Sequence, residues 1–341
     1  MPDVLSREVR LRKRPVGNPS ESDFEIVETR ITEIADGQIL IRNIYMSVDP
    51  YMRGRMNDRT TYVPPFEIDQ PLEGGCVGQV VTSRNDKFAA GDCVLSRLGW
   101  REYAVSDGTE VTKIDAKLFP IQSYLGAAGM PGMTAYVGLL DIGKPREGET
   151  VFVSAASGAV GSIVCQIAKL KGCRVVGSVG SDEKAAWLQE EAGIDAVLNY
   201  KKADNLIAEV GKHCPEGIDV YFENVGGDHL VAALEHMNSF GRIVMCGMIS
   251  IYNSAEPAPG PYNLYNTVLK QLTLQGFIVS GHMRKLPQFH AEMATWVREG
   301  KVKWKETVVE GIENAPAAFM GVFKGENFGK MLVKLGAPPG V

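Results

Sequence analysis

Metal-ligand spacing, long apolar runs and an excess of positive charge are all missing from this chain of 341 residues. Its five histidines, His213, His229, His236, His282 and His290, form no HxH or HExxH pattern. Its six cysteines, Cys76, Cys93, Cys165, Cys173, Cys214 and Cys246, include no close pair that resembles a metal knuckle or a redox couple. A metal centre is therefore not expected, and the cysteines read as reduced and mostly buried. No apolar run approaches the roughly 18 residues of a membrane span. Met1 to Pro15 is charged throughout, without the apolar core of a signal peptide. The expectation is a cytoplasmic protein with no membrane partner. A net charge of -5 offers nucleic acid and anionic surfaces no attraction, which leaves small molecules as partners.

With 45% hydrophobic and 23% charged residues the chain can build a large core, and its length exceeds what one core of ordinary size holds. Two domains are expected. The first 120 residues read as mainly β. Glu8 to Arg14 alternates charge with aliphatic side chains until Pro15, the period of a strand with one wet face. Phe24–Glu28 and Gln38–Ser47 continue as strands, and Lys87–Val94 reads as a turn and a strand. Short strands and turns in this number suggest a partly open β-barrel. Between them, Ser47-Val48-Asp49-Pro50-Tyr51-Met52-Arg53-Gly54-Arg55-Met56 ends a strand at a proline turn. Two readings of this loop stand: Tyr51 contacts a ligand, or it packs under the loop with Arg53 and Arg55 in solvent. The glycine-rich Glu73–Val81 has β alternation and no helix behind it, so it is no phosphate loop.

From Tyr124 the texture changes. Leu125–Leu140 reads as a helix entry and a helix, and after it strands and helices alternate. The expected strands are Val151–Ser154, Arg174–Val179, Ala196–Asn199, Asp219–Glu223, Gly241–Cys246 and Leu272–Val279. Helices are expected to start near Gly161, Asp182, Asn205, Asp228 and Asn266. Six strands with helices between them make a doubly wound parallel sheet, the Rossmann arrangement. Its first turn, Ser154-Ala155-Ala156-Ser157-Gly158-Ala159-Val160-Gly161, carries an imperfect G-x-G-x-x-G in which Ala156 takes the place of the first glycine. An apolar strand directly before it and a helix directly after it make it a dinucleotide site. At the end of the second strand stands Val179-Gly180-Ser181 where NAD enzymes place an acid. Asp182 reads as the cap of the next helix. Ser181 and Lys184 can bind a 2′-phosphate, which points to NADPH, and Lys184 as a solvated helix residue is the alternative.

SAASGAVGSIVCQIAKLKGC, VGSDEK, NYK, FENVGG, GRIVMCGMISIYN and PAAFMGVFKGENFGKMLVKL together resemble the zinc-independent branch of the medium-chain dehydrogenase/reductases. The specific likeness is to the prostaglandin/leukotriene reductase and alkenal double-bond reductase family, and it runs from SVDPYMRGRM to the C-terminus. Zinc-dependent relatives carry a G-H-E ligand motif where this chain has Gly74-Gly75. The resemblance implies an α/β chain with a GroES-like, partly open β-barrel domain over 1–125 and 305–341. A six-stranded Rossmann domain, binding NADPH/NADP+, would span 126–304, with the active site in the cleft between the domains. It implies that Gly158, Ala159, Val160, Gly161 and Ser162 hold the pyrophosphate, and that Ser181, Lys184 and Tyr200 lie at the 2′-phosphate end. Asn224 would lie along the cofactor. Cys246, Gly247, Met248, Ile249, Ser250 and Tyr252 would cover the nicotinamide side. Phe277, Ile278 and Val279 would line the nicotinamide pocket, with Asn327 reaching in. The family's S-T-Y-N reads Ser250-Ile251-Tyr252-Asn253 here, so a threonine hydroxyl is lost at Ile251 while the tyrosine stays.

The activity implied is hydride transfer from NADPH to the β-carbon of an α,β-unsaturated aldehyde or ketone, prostaglandin-like 15-oxo ketones included. Tyr252 would stabilise the developing oxyanion and Tyr51 would contact the substrate. A homodimer is implied, with the last sheet strand as the candidate interface. A quinone reductase using the same cleft is the nearest alternative, and a non-catalytic NADPH-binding protein the more distant one.

Overall fold

The structure, a computed structural model, describes residues 4–337. The chain divides into two compact units, one of Met1–Leu125, Glu306–Asn327 and Met331–Val341, the other of Gly126–Lys305 and Phe328–Lys330. The domain limits expected from sequence reach residues 1–3 and 338–341, which lie outside the described residues.

The first unit opens with β1 (Val4–Leu11), β2 (Phe24–Ile31) and β3 (Ile39–Ser47), then a single helical turn, α1 (Met52–Arg55). β4 (Cys76–Ser83), β5 (Cys93–Ser96), β6 (Tyr103–Ser106) and β7 (Thr112–Lys113) follow. β1 pairs antiparallel with β2 from Val4↔Ile31 to Leu11↔Phe24. The alternating run therefore ends as a strand at Leu11, not at Arg14. Lys13 instead meets Asp23 at 3.5 Å, and Arg14 donates to the carbonyl of Met56 at 3.2 Å. Val9 and Leu11 on the inner face are fully buried with Phe24, Trp100 and Phe319 in one apolar cluster.

The second unit begins with α2 (Met130–Val137), which runs into a π-helical turn at Gly138–Gly143. Strands and helices then alternate as β8 (Thr150–Val153), α3 (Gly161–Leu170), β9 (Arg174–Val179), α4 (Asp182–Glu190), β10 (Ala196–Asn199), α5 (Leu206–His213), β11 (Ile218–Glu223), α6 (Gly227–His236) and β12 (Met237–Met245). The one-turn α7 (Asn266–Leu269), β13 (Thr273–Gly276) and α8 (Leu286–Arg298) complete it. The sheet order is β10-β9-β8-β11-β12-β13, every recorded pairing parallel. This is the doubly wound dinucleotide topology, whose order reverses between β8 and β11. Right-handed crossovers then put helices on both faces, so the central strands are buried throughout. Val151, Phe152, Val153, Tyr221 and Phe222 are all 0% exposed.

The last strand is shorter than the expected Leu272–Val279. After Gly276 the backbone leaves the ladder, and Val279–Lys285 forms a 3-10 turn. The chain then returns to the first unit through β14 (Glu306–Glu310), α9 (Ala315–Lys324) and β15 (Lys330–Lys334). β15 pairs with β3 in the order β14-β15-β3-β4-β5-β7, with β6 also on β3.

Candidate functional site: a dinucleotide cradle and a tyrosine loop

The ends of β8 and β11 lie side by side at the point where the strand order reverses. The turn after β8 is shaped by small residues. Ala155 has φ 48, a left-handed conformation that costs a residue with a Cβ about 1–2 kcal/mol. At Gly161 a Cβ would lie 2.3 Å from the Ala155 carbonyl oxygen, so only glycine fits there. The methyl of Ala156, standing where the usual fingerprint has glycine, is received by Gly177 of β9. A Cβ on Gly177 would come within 2.8 Å of it. The turn thus keeps its shape by moving the glycine across to the neighbouring strand. Among the described residues no backbone carbonyl accepts from the N–H groups of Ala159, Val160 or Gly161, while Ser162 N donates to Gly158 O at 3.0 Å. These amides head the ten-residue α3 and form a cradle for an anion. From the other side Gly329 N donates to Ser157 O at 3.0 Å. Asn327, two residues earlier, belongs to the first unit.

At the end of β9 the cap of α4 is Ser181, whose Oγ accepts from Lys184 N at 3.4 Å. Asp182, expected to be the cap, sits instead in the first helical turn. Its carboxylate accepts from Asn199 Nδ2 at 2.8 Å and from Lys202 Nζ at 2.5 Å. Burial and the nearby charge of Lys201 hold the Lys184 ammonium below its ordinary pKa. Tyr200 stands edge-on to His229, ring centroids 5.1 Å apart, and His229 Nε2 is 2.8 Å from Ser178 Oγ. Burial pulls the imidazole down to about 4, so it is neutral at physiological pH. A Cβ on Gly180 would lie 3.2 Å from both the Tyr200 hydroxyl and Lys201 Cε. Lys201, the one cation of the N-Y-K triplet, stands beside Tyr200 at this strand end.

β11 ends at Glu223, which is 0% exposed. One carboxylate oxygen accepts from Val225 N at 2.6 Å, Gly226 N at 2.9 Å and Ser154 Oγ at 3.0 Å. Burial raises its pKa despite these donors. Ser154 Oγ accepts in turn from Asn224 N at 2.9 Å, and Asn224 Nδ2 donates to Ser154 O at 2.8 Å. Asn224 is thus locked to the start of the cradle.

The loop after β12 is laid on this same segment. Cys246 N and Gly247 N both donate to Glu223 O at 3.0 Å, Ile249 N to Asn224 O at 3.1 Å and Ser250 N to Val225 O at 3.0 Å. Tyr252 closes the loop. Its hydroxyl oxygen accepts from Met248 N at 3.2 Å and lies 3.0 Å from where a Cβ on Gly247 would stand. Because the oxygen accepts from the backbone, its own proton is available to a ligand. Burial keeps the phenol protonated. Cys246, beside Glu223, has its thiol pushed up to about 12 by burial, and buried Cys76 to about 11, so neither is a reactive thiolate. Phe277 covers the π-helical turn, where a Cβ on Gly138 would meet its ring at 2.7 Å. Ile278 is 43% exposed and Val279 opens the 3-10 turn, so both reach their positions from irregular chain rather than from a strand.

In the first unit, Tyr51 precedes α1 and packs against the core cluster. Burial and the charge of Asp49 raise its pKa well above the ordinary phenol value. Arg53 and Arg55 are not solvated. Arg53 donates to Pro15 O, Gly17 O and Asn57 Oδ1 at 3.2, 2.9 and 2.7 Å. Arg55 pairs with Glu73 at 2.8 Å, donates to Pro64 O at 2.9 Å and lies 4.0 Å over the Phe66 ring. The two arginines tie the surrounding loops, and Tyr51 packs on the core cluster beside them. At Gly74 a Cβ would lie 2.4 Å from Met52 Cε, so a side chain there would have to displace the end of that buried methionine. Among the described residues no group of three or more His, Cys, Asp or Glu could hold a metal ion.

A parallel sheet with open amides at its switch point, joined in one chain to an antiparallel domain, defines a two-domain dinucleotide-type fold. Residues 7–114 match the family model described as the N-terminal domain of oxidoreductase, and residues 159–295 the one described as zinc-binding dehydrogenase. The chain is 45% identical over 338 residues to prostaglandin reductase 1 of Bos taurus, covering 97% of this chain and 99% of the relative. It is 43% identical over 336 residues to a 2-alkenal reductase (NADP(+)-dependent) of Nicotiana tabacum, covering 97% and 98%. The crystal structure of CurA in complex with NADPH from Vibrio vulnificus superposes with a TM-score of 0.93 at 43% identity, covering 97% of this chain and 100% of that one. The chain belongs to the medium-chain dehydrogenase/reductase family, in its zinc-independent branch with the prostaglandin and alkenal reductases.

Proposed function

We propose that this protein uses NADPH to reduce the C=C bond of α,β-unsaturated aldehydes and ketones. The observation that carries the reading is the Tyr252 phenol, fixed over Gly247 by the Met248 amide, in a loop built on the same Glu223–Val225 segment that locks Asn224. The names of the relatives, a prostaglandin reductase and a 2-alkenal reductase, support the substrate class.

The residues fit the cofactor on their own chemistry. The open amides of Ala159, Val160 and Gly161, with Gly158 and Ser162 at the rim, suit a pyrophosphate. Ser181, Lys184 and Tyr200 suit a 2′-phosphate. Asn224, the Cys246–Tyr252 loop, Phe277, Ile278, Val279 and Asn327 are assigned to the nicotinamide half. When bound, NADPH supplies a hydride to the β-carbon of the substrate. As that bond forms, electron density moves to the carbonyl oxygen, and the Tyr252 O–H donates a hydrogen bond to it. One such donor is worth about 2.7–4 kcal/mol of transition-state stabilisation. The proton that completes the α-carbon comes from water or from Tyr252. Tyr51, a neutral phenol of the first unit, is our second candidate for a substrate contact. We assign the chain to the cytoplasm, in keeping with six cysteines that are all free, and to a homodimer formed through the edge strand β13.

The test is a double-mutant cycle. Tyr252→Phe should lower kcat on a 2-alkenal by about 100- to 1,000-fold with the KM for NADPH unchanged. Gly247→Ala, whose methyl displaces the phenol, should lower kcat alone and add little to Tyr252→Phe. Undiminished turnover by Tyr252→Phe would remove the oxyanion role, and faster turnover of quinones than of enals would favour a quinone reductase.

A further inference from the structure

The 3-10 turn Tyr200–Lys202, capped by Asn199 whose Oδ1 accepts from Lys201 N at 3.2 Å, spreads three side chains toward the end of β9. Tyr200 and Lys201 flank Gly180, while Lys202 turns to Asp182. The charges divide accordingly. A phosphate monoester carries about -1.5 to -2 at pH 7, which Lys184 alone does not balance. Lys201 lies close enough to Lys184 to act on its charge, and among the described residues no carboxylate is recorded against its ammonium. The charge of Lys201 disfavours the ammonium of Lys184, and an anion bound near both would offset that repulsion.

Asp182 is the complementary half. It is the carboxylate nearest the strand end where NAD enzymes hold the ribose hydroxyls, and its charge would repel a 2′-phosphate. Here both of its oxygens are engaged, one by Asn199 and one by Lys202.

We propose that Lys201 is a second phosphate-binding cation at the 2′ end of the cofactor site, and that Lys202 sets the preference for the phosphorylated dinucleotide by neutralising Asp182. Lys201 touches the ligand, and Lys202 is a positioning residue acting through Asp182. The inference rests on the NADPH reading and adds to it the residues that separate the two nicotinamide cofactors.

Calorimetric titration of the full chain with 2′,5′-ADP and with 5′-AMP tests it without turnover. The wild type should prefer 2′,5′-ADP. Lys201→Ala should weaken 2′,5′-ADP about tenfold or more and leave 5′-AMP unchanged, with Lys201→Arg restoring most of the loss. Lys202→Ala should weaken 2′,5′-ADP by about two- to fivefold, and Asp182→Asn in the same chain should restore it. Selective weakening by Lys184→Ala but not by Lys201→Ala would overturn the Lys201 assignment while leaving the NADPH reading in place. A Lys202→Ala loss that Asp182→Asn does not rescue would overturn the role given to Lys202. A wild type that binds the two nucleotides equally would overturn the NADPH reading and this inference with it.

Discussion

His229 illustrates how one buried side chain makes stability depend on pH. It is 5% exposed, bonded to Ser178 and set against Tyr200, and burial pulls it down to about 4 from an ordinary value of 6.5. The unfolded chain therefore binds more protons than the folded one between these values. Stability from the neutral ring is complete above pH 6.5 and is lost as the pH falls toward 4, by about 3 kcal/mol at most. Urea unfolding at pH 7 and pH 4.5 should show a smaller loss for His229→Gln than for the wild type. Equal losses would mean that the ring is not held neutral. Ala156 teaches a different lesson at this scale. The motif looks broken at that position, and the repair lies at Gly177 in the next strand, where no local pattern points to it.

Among the elements, β13 differs from its neighbours. All four of its residues are exposed, on the open edge of the six-stranded sheet. Beside it in the chain Tyr265, Val268 and Leu269 are more than 60% exposed. An edge with unpaired backbone groups and exposed apolar side chains invites a second strand. Sedimentation at micromolar concentration should give twice the 37.1 kDa of one chain, and Leu274→Lys should shift it toward the monomer. A monomeric wild type would contradict the dimer. The other five sheet strands were legible in sequence because buried parallel strands read as short apolar runs between helices. β13 is shorter than its sequence suggests because Phe277-Ile278-Val279 has the composition of a strand, yet it leaves the ladder, with Phe277 covering the π-helical turn and Val279 opening a 3-10 turn. α8 and α9 were not foreseen as helices. The site residues of the second unit were legible where a motif names them, as with Gly158, Lys184 and Tyr252. The tethering role of Arg53 and Arg55 was not, because it depends on carbonyls of Pro15, Gly17 and Pro64 that only the fold brings near.

Taken unit by unit, the second carries open amides at the head of α3, Lys184 and Lys201 near the end of β9, and a tyrosine held on a backbone amide; the first carries a neutral tyrosine on an arginine-tied loop. Both phenols stay protonated, which suits a donor to an oxyanion rather than a base. No helix among the described residues is long and apolar enough to cross a membrane. In the proposed reaction hydride passes from NADPH to the β-carbon of a conjugated carbonyl compound. The most direct measurement supplies a 2-alkenal with NADPH deuterated in turn at each C4 position and locates the label in the product. The expected product is the saturated aldehyde with deuterium on its β-carbon, from one of the two labelled forms. Deuterium on the carbonyl carbon of an allylic alcohol would contradict it.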